Sequence, residues 1–530
     1  MSAITNNETQ PEIVWEPIPG TSQEFALASP AHVTLYHGAR GPGKTIVQLM
    51  RFRARVGLGY GEFWRGVIFD VEYKHLADLV AQSKRFFYAF DDGAVFKESA
   101  QEYKWVWPTG EELLFRHAKK IGDYEDFHGH EYPFIGWNEL TKYATPDLYD
   151  KLMSTNRSSF TPEKHTPHKR AIDNVIPFNA VKGEDGIYRV YDTPDGKPLP
   201  PIPLEVFSTT NPSGPGHNWV KRRFINRAEP GQLFKETIRV FDPKSKQEVD
   251  VVKTQVHIFG SWRENVYLTA EYIAELEKIK EPNLRRAWLY GDWDVTAGGA
   301  IDDLWHAETH VIPVFPVPDY WRLDRAFDWG STTPFCVIWF AECNGEEVKL
   351  PNGATFCPPA GSLVACGEWY GSSEIGTNKG LKMSATKVAE GIRTREIEWL
   401  KQNHFKKQPR GGPADNQIRN VNDVSVDTTE VAMKKIGISW TESDKSPGTR
   451  AMGLQLLRDR LEAALVGEGK AIYFMRNCEA TIELLPPIPR DEIKTDETDP
   501  DYEDHPFDVV KYRILAGNRT AVEKLDVRFG

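Results

Sequence analysis

LYHGARGPGKTIVQLM runs from Leu35 to Met50, a glycine-rich bend set between a short apolar run and the start of a helical pattern. Gly38-Ala-Arg-Gly-Pro-Gly43-Lys44-Thr45 fits GxxxxGK[ST] in full. Gly38, Gly41 and Gly43 let backbone N–H groups curl around the β- and γ-phosphates, Lys44 brings a point charge to them, and Thr45 offers its hydroxyl to Mg²⁺. A helix starting near Gly43 aims its positive end at the same anion. The stretch predicts a P-loop that takes ATP with Mg²⁺. Arg40, inside the loop, has two readings: a guanidinium that reaches the γ-phosphate in cis, or a structural clamp.

Outward from the loop, residues 31 to 295 alternate strand-like and helix-like segments. HVTLYHG, RGVIFDV, ELLFRHA, YPFIGWNE and PLEVFSTTNP are the strand candidates, and the alternation predicts a parallel α/β sheet. Ser154 to Pro203 is polar, rich in Pro and Gly, and reads as a partly mobile insertion. YPFIGWNEL, Tyr132 to Leu140, ends in Asn138-Glu139. Glu139 is placed to orient and activate the attacking water; the plainer reading is a solvent-facing glutamate after a core strand. Asn138 stands where an aspartate ordinarily holds the Mg²⁺ shell, and it is neutral. Ser208-Thr209-Thr210-Asn211 closes a later strand at the sheet edge from which the γ-phosphate can be sensed. Gln23, upstream in GTSQEF, is a candidate contact to adenine.

A chain of 530 residues with 40% hydrophobic and 12% aromatic residues is expected to form two large domains. The break falls at the Gly- and Pro-rich stretch after LRRAWLYGDWDV, itself read as a helix end followed by a strand-like element. This divides the chain into residues 1–295, a linker at 296–320 and a second domain at 321–530. A net charge of −11 speaks against a protein that coats DNA. It leaves VKRRF (Val220 to Phe224) and HFKKQPR (His404 to Arg410) as local phosphate contacts or as solvated faces. Cys336, Cys343, Cys357, Cys366 and Cys478 form no CxxC pair and read as incidental thiols in a reducing compartment, not a zinc site. With no apolar run of bilayer length and no basic and apolar leader, the expectation is a soluble intracellular protein.

In the second half, three strand candidates come first: RLDRAFDWG, FCVIWFAEC and SLVACGEWYG. A helical stretch and further α/β alternation follow. That is the strand order of an RNase H-like fold. Asp328 sits on an apolar strand, where a lone carboxylate is costly to bury. Asp415 ends another strand, unless it is only a turn residue before Asn. Asp504 and Asp508 lie at i,i+4 at a helix start, with Asp504 inside the acidic run RDEIKTDETDPDYEDH, read as a solvated loop. Glu368 is a further candidate. Carboxylates gathered from separate strands need cations, and two Mg²⁺ or Mn²⁺ ions suit in-line cleavage of a phosphodiester. His505 either assists protonation or packs.

Taken in order, GARGPGKT, FHGHEYPFIGWNEL, STTNPSGPGHNWVKRRF, YGDWDV, AFDWGS, PADNQ and DHPFDVVKYR resemble the large terminase subunit of tailed double-stranded DNA phages, over about residues 20 to 520. The resemblance implies an ASCE-type P-loop ATPase domain followed by an RNase H-like nuclease domain. It implies a motor that pumps double-stranded DNA into a procapsid and cuts the concatemer. Its partners would be a small terminase subunit and a portal protein. It would form a ring, usually a pentamer, when assembled, work in the host cytoplasm, and have no membrane contact. Carried over, Lys44 and Thr45 match the nucleotide motif, Glu139 the catalytic glutamate, and Thr209-Thr210-Asn211 the coupling motif. Asp328, Asp415 and Asp508 match the nuclease triad. Asn138 departs from the pattern, and Arg157 is a guess at the ring's trans-acting arginine. Two rivals remain: an ATP-driven translocase or helicase whose second domain only binds, and an assembly protein that keeps ATP as a conformational ligand.

Overall fold

In a computed structural model, the structure describes residues 13–99, 101–170, 177, 179–183, 186–243, 245–294, 299–420, 427–491, 493–500 and 502–526. The chain divides into two compact units: Met1–Pro212, Val220–Lys280 and Arg285–Val295 in the first, Ser213–Trp219, Glu281–Leu284 and Thr296–Gly530 in the second.

The first unit is built on a nine-stranded sheet. From one edge the strands run Phe234–Asp242, Gln247–Gly260, Val33–Gly38, Glu205–Thr210, Phe134–Trp137, Arg65–Asp70, Glu112–His117, Lys104–Val106 and Val95–Lys97. The six from Gln247–Gly260 to Glu112–His117 are parallel. Every residue of Val33–Gly38, Phe134–Trp137 and Glu205–Thr210 is buried, as strands covered on both faces must be. The strand that feeds the phosphate loop is not beside the strand that ends in Glu139; Glu205–Thr210 lies between them. This inserted strand is the mark of the ASCE-type P-loop sheet. Since the strands are parallel, their carboxyl ends share one edge, where ligands bind in open α/β sheets.

Three features differ from the expectation. Gln247–Gly260 is a parallel core strand beyond the five expected. Its first half pairs with Phe234–Asp242 in an exposed hairpin and carries the polar alternation of one, which masks the core strand. The Ser154 to Pro203 stretch holds a small three-stranded sheet of its own; its residues 171–176, 178 and 184–185 lie outside the described ones. Residues 290–294 of YGDWDV form no strand: Arg286–Tyr290 is a π-helical turn closed by Gly291 at φ +67°. Residues 295–298, at the expected boundary, lie outside the described residues.

The second unit has a seven-stranded sheet: Val311–Ile312, Ile472–Met475, Leu363–Tyr370, Cys336–Glu342, Arg322–Asp328, Arg410–Ala414 and Thr441–Glu442. Its first three long strands in chain order are antiparallel neighbours. The next two lie parallel on the other side of the first. This 3-2-1-4-5 order is RNase H-like, extended by Ile472–Met475 and Val311–Ile312. The expected linker is packed here: Ala300, Ile301, Phe315 and Val317 are buried. The last helix, His505–Asp526, crosses the sheet. Arg513 on it donates to Asp324 on the first strand at 2.6 Å, and Arg325 on that strand's other face pairs with the fully buried Glu396 at 2.9 Å. Among the described residues no helix is long and apolar enough to cross a membrane.

Candidate nucleotide and nuclease sites

The phosphate loop is held from four sides by its own carbonyls. Gly38 O accepts from Asn211 Nδ2 at 2.8 Å, Ala39 O from Lys44 Nζ at 2.6 Å, Gly41 O from Asn265 Nδ2 at 2.7 Å and Pro42 O from Gln23 Nε2 at 2.8 Å. These bonds orient the loop backbone, and two of its N–H groups are held as well: Ala39 N–H donates to Gly260 O at 3.0 Å and Arg40 N–H to Trp288 O at 2.7 Å. The glycines are sterically needed. Gly38, Gly41 and Gly43 have φ of +122°, +101° and +91°, and a Cβ on Gly38 would stand 2.3 Å from Gly260 O. Gly43 caps the helix Lys44–Arg53, so Lys44 and Thr45 open its first turn. Burial lowers the Lys44 ammonium to about 8, with Glu139 opposing that shift. The residue is poised for a counter-anion.

Gln23 is a brace. Its amide nitrogen holds Pro42 and its oxygen takes the Ile18 N–H at 3.2 Å, so both ends are engaged within the protein, and an open adenine contact is not what the structure displays. Arg40 lies with its guanidinium 3.2 Å over the Trp288 ring. Glu139 follows its strand at φ +54°, a left-handed conformation that non-glycine residues adopt chiefly where function or strain demands it. The inserted strand touches both halves of the site. Thr209 Oγ1 accepts the Glu139 N–H at 3.4 Å, Thr210 Oγ1 meets Thr141 Oγ1 at 2.7 Å, and Asn211 holds the loop at Gly38.

Asn138 is paired with a carboxylate. Its Nδ2 donates at 2.7 Å to Oδ2 of Asp70, fully buried at the end of the neighbouring strand Arg65–Asp70. Lys142 Nζ lies 3.3 Å from both Asp70 oxygens and His75 Nδ1 3.2 Å from Oδ1. Asp70 is thus a carboxylate at the same edge that no motif in the sequence singles out. Arg157 is half exposed and donates to Gly129 O at 2.8 Å. In the VKRRF cluster, Lys221 pairs with Asp294 at 2.8 Å and Arg223 with Asp150 at 2.6 Å, so these cations already have acidic partners.

In the second unit, Asp328, Asp415 and Asp508 come together from the first strand, the end of the fourth and the last helix. Asp328 is pushed up by burial, and Asp508 and Asp415 add to that against the His505 hydrogen bond. The acids are therefore close enough to repel. Each has a basic partner: His505 Nδ1 at 2.9 Å from Asp328, Lys445 Nζ at 2.5 Å from Asp415, and Lys511 Nζ at 2.6 Å from Asp508. Burial disfavours charge on His505, but the Asp328 carboxylate outweighs it and the pKa rises. His505 Nε2 reaches Asn378 Oδ1 at 3.1 Å, so His505 does more than pack. Asp504 is not in a solvated loop: it is largely buried, paired with Arg450, and raised by burial and then by Asp508.

Glu368 does not join these acids. Its carboxylate accepts the N–H groups of Ala480 and Thr481 at 2.7 and 2.9 Å, at the start of the helix Glu479–Leu484, and burial raises it to about 7. It is a helix cap supplied from a distant strand. The oxygen-only set of Asp328, Asp415 and Asp508 suits a hard divalent cation. Among the described residues no three His, Cys, Asp or Glu side chains already close into a metal cage. The donor set fits Mg²⁺ or Mn²⁺, provided that Lys445 and Lys511 release their carboxylates.

No protein-family model matches the chain, and no curated protein matches it. Among solved structures, the chain is similar to the large terminase of a thermophilic bacteriophage in complex with ADP, at 15% identity, covering 93% of this chain and 98% of that one with a TM-score of 0.34. It is similar to the HK97 bacteriophage large terminase at 9% identity, with 93% and 91% coverage and a TM-score of 0.39. It is also similar to the P22 large terminase nuclease domain at 15% identity, with 42% and 93% coverage and a TM-score of 0.29. Likenesses this weak carry no weight for activity, which rests on the residues themselves.

Proposed function

We propose that this chain is a large terminase subunit: an ATP-driven motor that moves double-stranded DNA into a procapsid and cuts it with a metal-dependent endonuclease. One observation carries the reading. A single chain joins a braced phosphate loop, with Glu139 one strand removed, to an RNase H-like sheet on which Asp328, Asp415 and Asp508 converge.

In the first unit, Lys44 and the loop N–H groups take the β- and γ-phosphates of ATP, and Thr45 offers its hydroxyl to the accompanying Mg²⁺. Glu139 orients a water for in-line attack and accepts its proton. Thr209 and Asn211 contact the Glu139 backbone and the loop respectively, so one strand end responds to both the catalytic carboxylate and the phosphates. In the second unit, Asp328, Asp415 and Asp508 are the residues to hold two divalent ions. Mg²⁺ or Mn²⁺ bound there supplies an activated water and charge for the leaving oxygen. Lys445 and Lys511 balance the acids until then, and His505 orients Asp328. A small terminase subunit, a portal protein, a ring of copies and the host cytoplasm complete the proposal. The translocase reading is favoured by the lysines on Asp415 and Asp508, which would suffice for a binding-only unit.

The test pairs two assays on the full chain: relaxation of supercoiled plasmid in Mn²⁺ or Mg²⁺, and ATP hydrolysis. Asp328→Asn should abolish cutting and leave hydrolysis intact; Lys44→Ala should do the reverse. Hydrolysis without cutting by the wild type, even with DNA-packaging partners present, would favour the translocase. Equal cutting by wild type and Asp328→Asn would overturn the nuclease assignment.

A further inference from the structure

The segment that closes the first unit, Arg286 to Trp293, grips the phosphate loop and the residue before it at four consecutive positions, 37 to 40. Trp293 Nε1 donates to His37 Nδ1 at 2.9 Å. A Cβ on Gly291 would stand 2.7 Å from Ala39 N and from Gly38 C, so only glycine admits this approach. Trp288 O accepts the Arg40 N–H at 2.7 Å. The Arg40 guanidinium lies 3.2 Å over the Trp288 ring. The turn that presents Trp288 is π-helical, a geometry that is rare and concentrated at functional sites.

The grip has a fixed polarity. Because His37 Nδ1 accepts from Trp293, its Nε2–H is left to donate to His257 Nδ1 at 2.9 Å. His257 Nε2–H then donates to Ala228 O at 2.8 Å. Both rings are pushed down by burial, so both are neutral and each tautomer is determined by its neighbours. One run of hydrogen bonds therefore anchors the residue just before Gly38.

Arg40 gives the grip a consequence beyond anchoring. A P-loop does not need an arginine at this place. This one is partly buried, which lowers its pKa, and Glu139 is the strongest group that opposes the shift. It lies near enough to Lys44 to lower that residue as well. Arg40, Lys44 and the Glu139 carboxylate thus lie close to one another at the phosphate loop. A planar cation laid flat on an indole keeps its N–H edge open to a ligand and its rotamers few.

We propose that Trp288 is the positioning residue for Arg40: the indole holds the guanidinium so that its N–H edge meets the transferred phosphoryl group. This rests on the ATPase reading under Proposed function. In the transition state charge is spread over the three outer oxygens of the phosphoryl group, and a donor already in place costs no rearrangement at that moment. The effect belongs to turnover and not to nucleotide affinity, since ADP lacks the group that Arg40 meets.

The test uses the full chain with Trp288→Ala, Trp288→Phe, Arg40→Ala and the Arg40→Ala/Trp288→Ala pair. It measures kcat and KM for ATP, the Kd for ADP, and the thermal midpoint. Trp288→Ala should lower kcat about tenfold with the Kd for ADP changed less than about twofold. Trp288→Phe, which keeps an aromatic face, should recover most of the loss. The pair should be no slower than Arg40→Ala alone, because the two residues act as one unit. Full additivity in the pair, no rescue by phenylalanine, or a wild-type kcat in Trp288→Ala would each overturn the proposal while leaving the ATPase reading in place. Absence of ATP hydrolysis by the wild type would overturn both.

Discussion

The phosphate loop and the carboxylate cluster handle charge in opposite ways. At the loop, side-chain donors bind the backbone carbonyls of Gly38, Ala39, Gly41 and Pro42, and the cations Lys44 and Arg40 are held by a carbonyl and an indole, not by a carboxylate. At the cluster, four acids meet four bases: His505 pairs with Asp328, Lys445 with Asp415, Lys511 with Asp508 and Arg450 with Asp504. The first site is organised before its ligand comes. The second is satisfied without its ligand and must exchange partners to take it. Under the proposed function, the cluster would have to exchange its basic partners for ions before it cut, whereas the loop would need no such exchange.

The largest test of that contrast is Glu139→Gln. It should lower ATP hydrolysis by about a hundredfold and leave plasmid cutting unchanged; a parallel fall in cutting would mean that the two sites are not separately organised. Lys445→Met addresses the exchange step directly. Removing the cation from Asp415 should lower the Mn²⁺ concentration for half-maximal cutting by about three- to fivefold, since the lysine is partly exposed and its hold is modest. A higher Mn²⁺ requirement would show instead that Lys445 works on the DNA. Glu368→Gln is the mildest. Glu368 titrates at about 7 inside the protein and at about 4.3 unfolded, so the folded state holds the extra proton between those values. Stability therefore falls as pH rises from about 4 to 7 and levels off above that. The variant should flatten that fall in thermal midpoint and leave cutting unchanged; loss of cutting would return Glu368 to the metal site.

What the sequence made legible follows from how local each signal is. The phosphate loop is eight contiguous residues whose spacing is itself the chemistry, so Gly38 to Thr45 read directly. Asp328 was legible because a carboxylate on an apolar strand is too costly to bury without a partner or an ion, and the strand order followed from three adjacent apolar runs. Partnerships across the sheet or between distant segments left no mark. Nothing near Glu368 announces a helix start at residue 479, nothing near Asp415 points to Lys445, and nothing near Gln23 shows that Pro42 will occupy it. Gln247–Gly260 was hidden because half of a core strand is also half of an exposed hairpin, and the polar half dominates its pattern.

The bond between Asn138 and Asp70 has a consequence for descent. Asparagine becomes aspartate by a single base change, so the ordinary residue at position 138 is always one step away. Taking that step here would set two carboxylates 2.7 Å apart in a buried corner, where one could ionise only at the other's expense. Lys142 and His75, which already flank Asp70, are then the groups that would have to hold both carboxylates. A change at one of these two positions, far apart in the chain, thus alters the charge balance at the other.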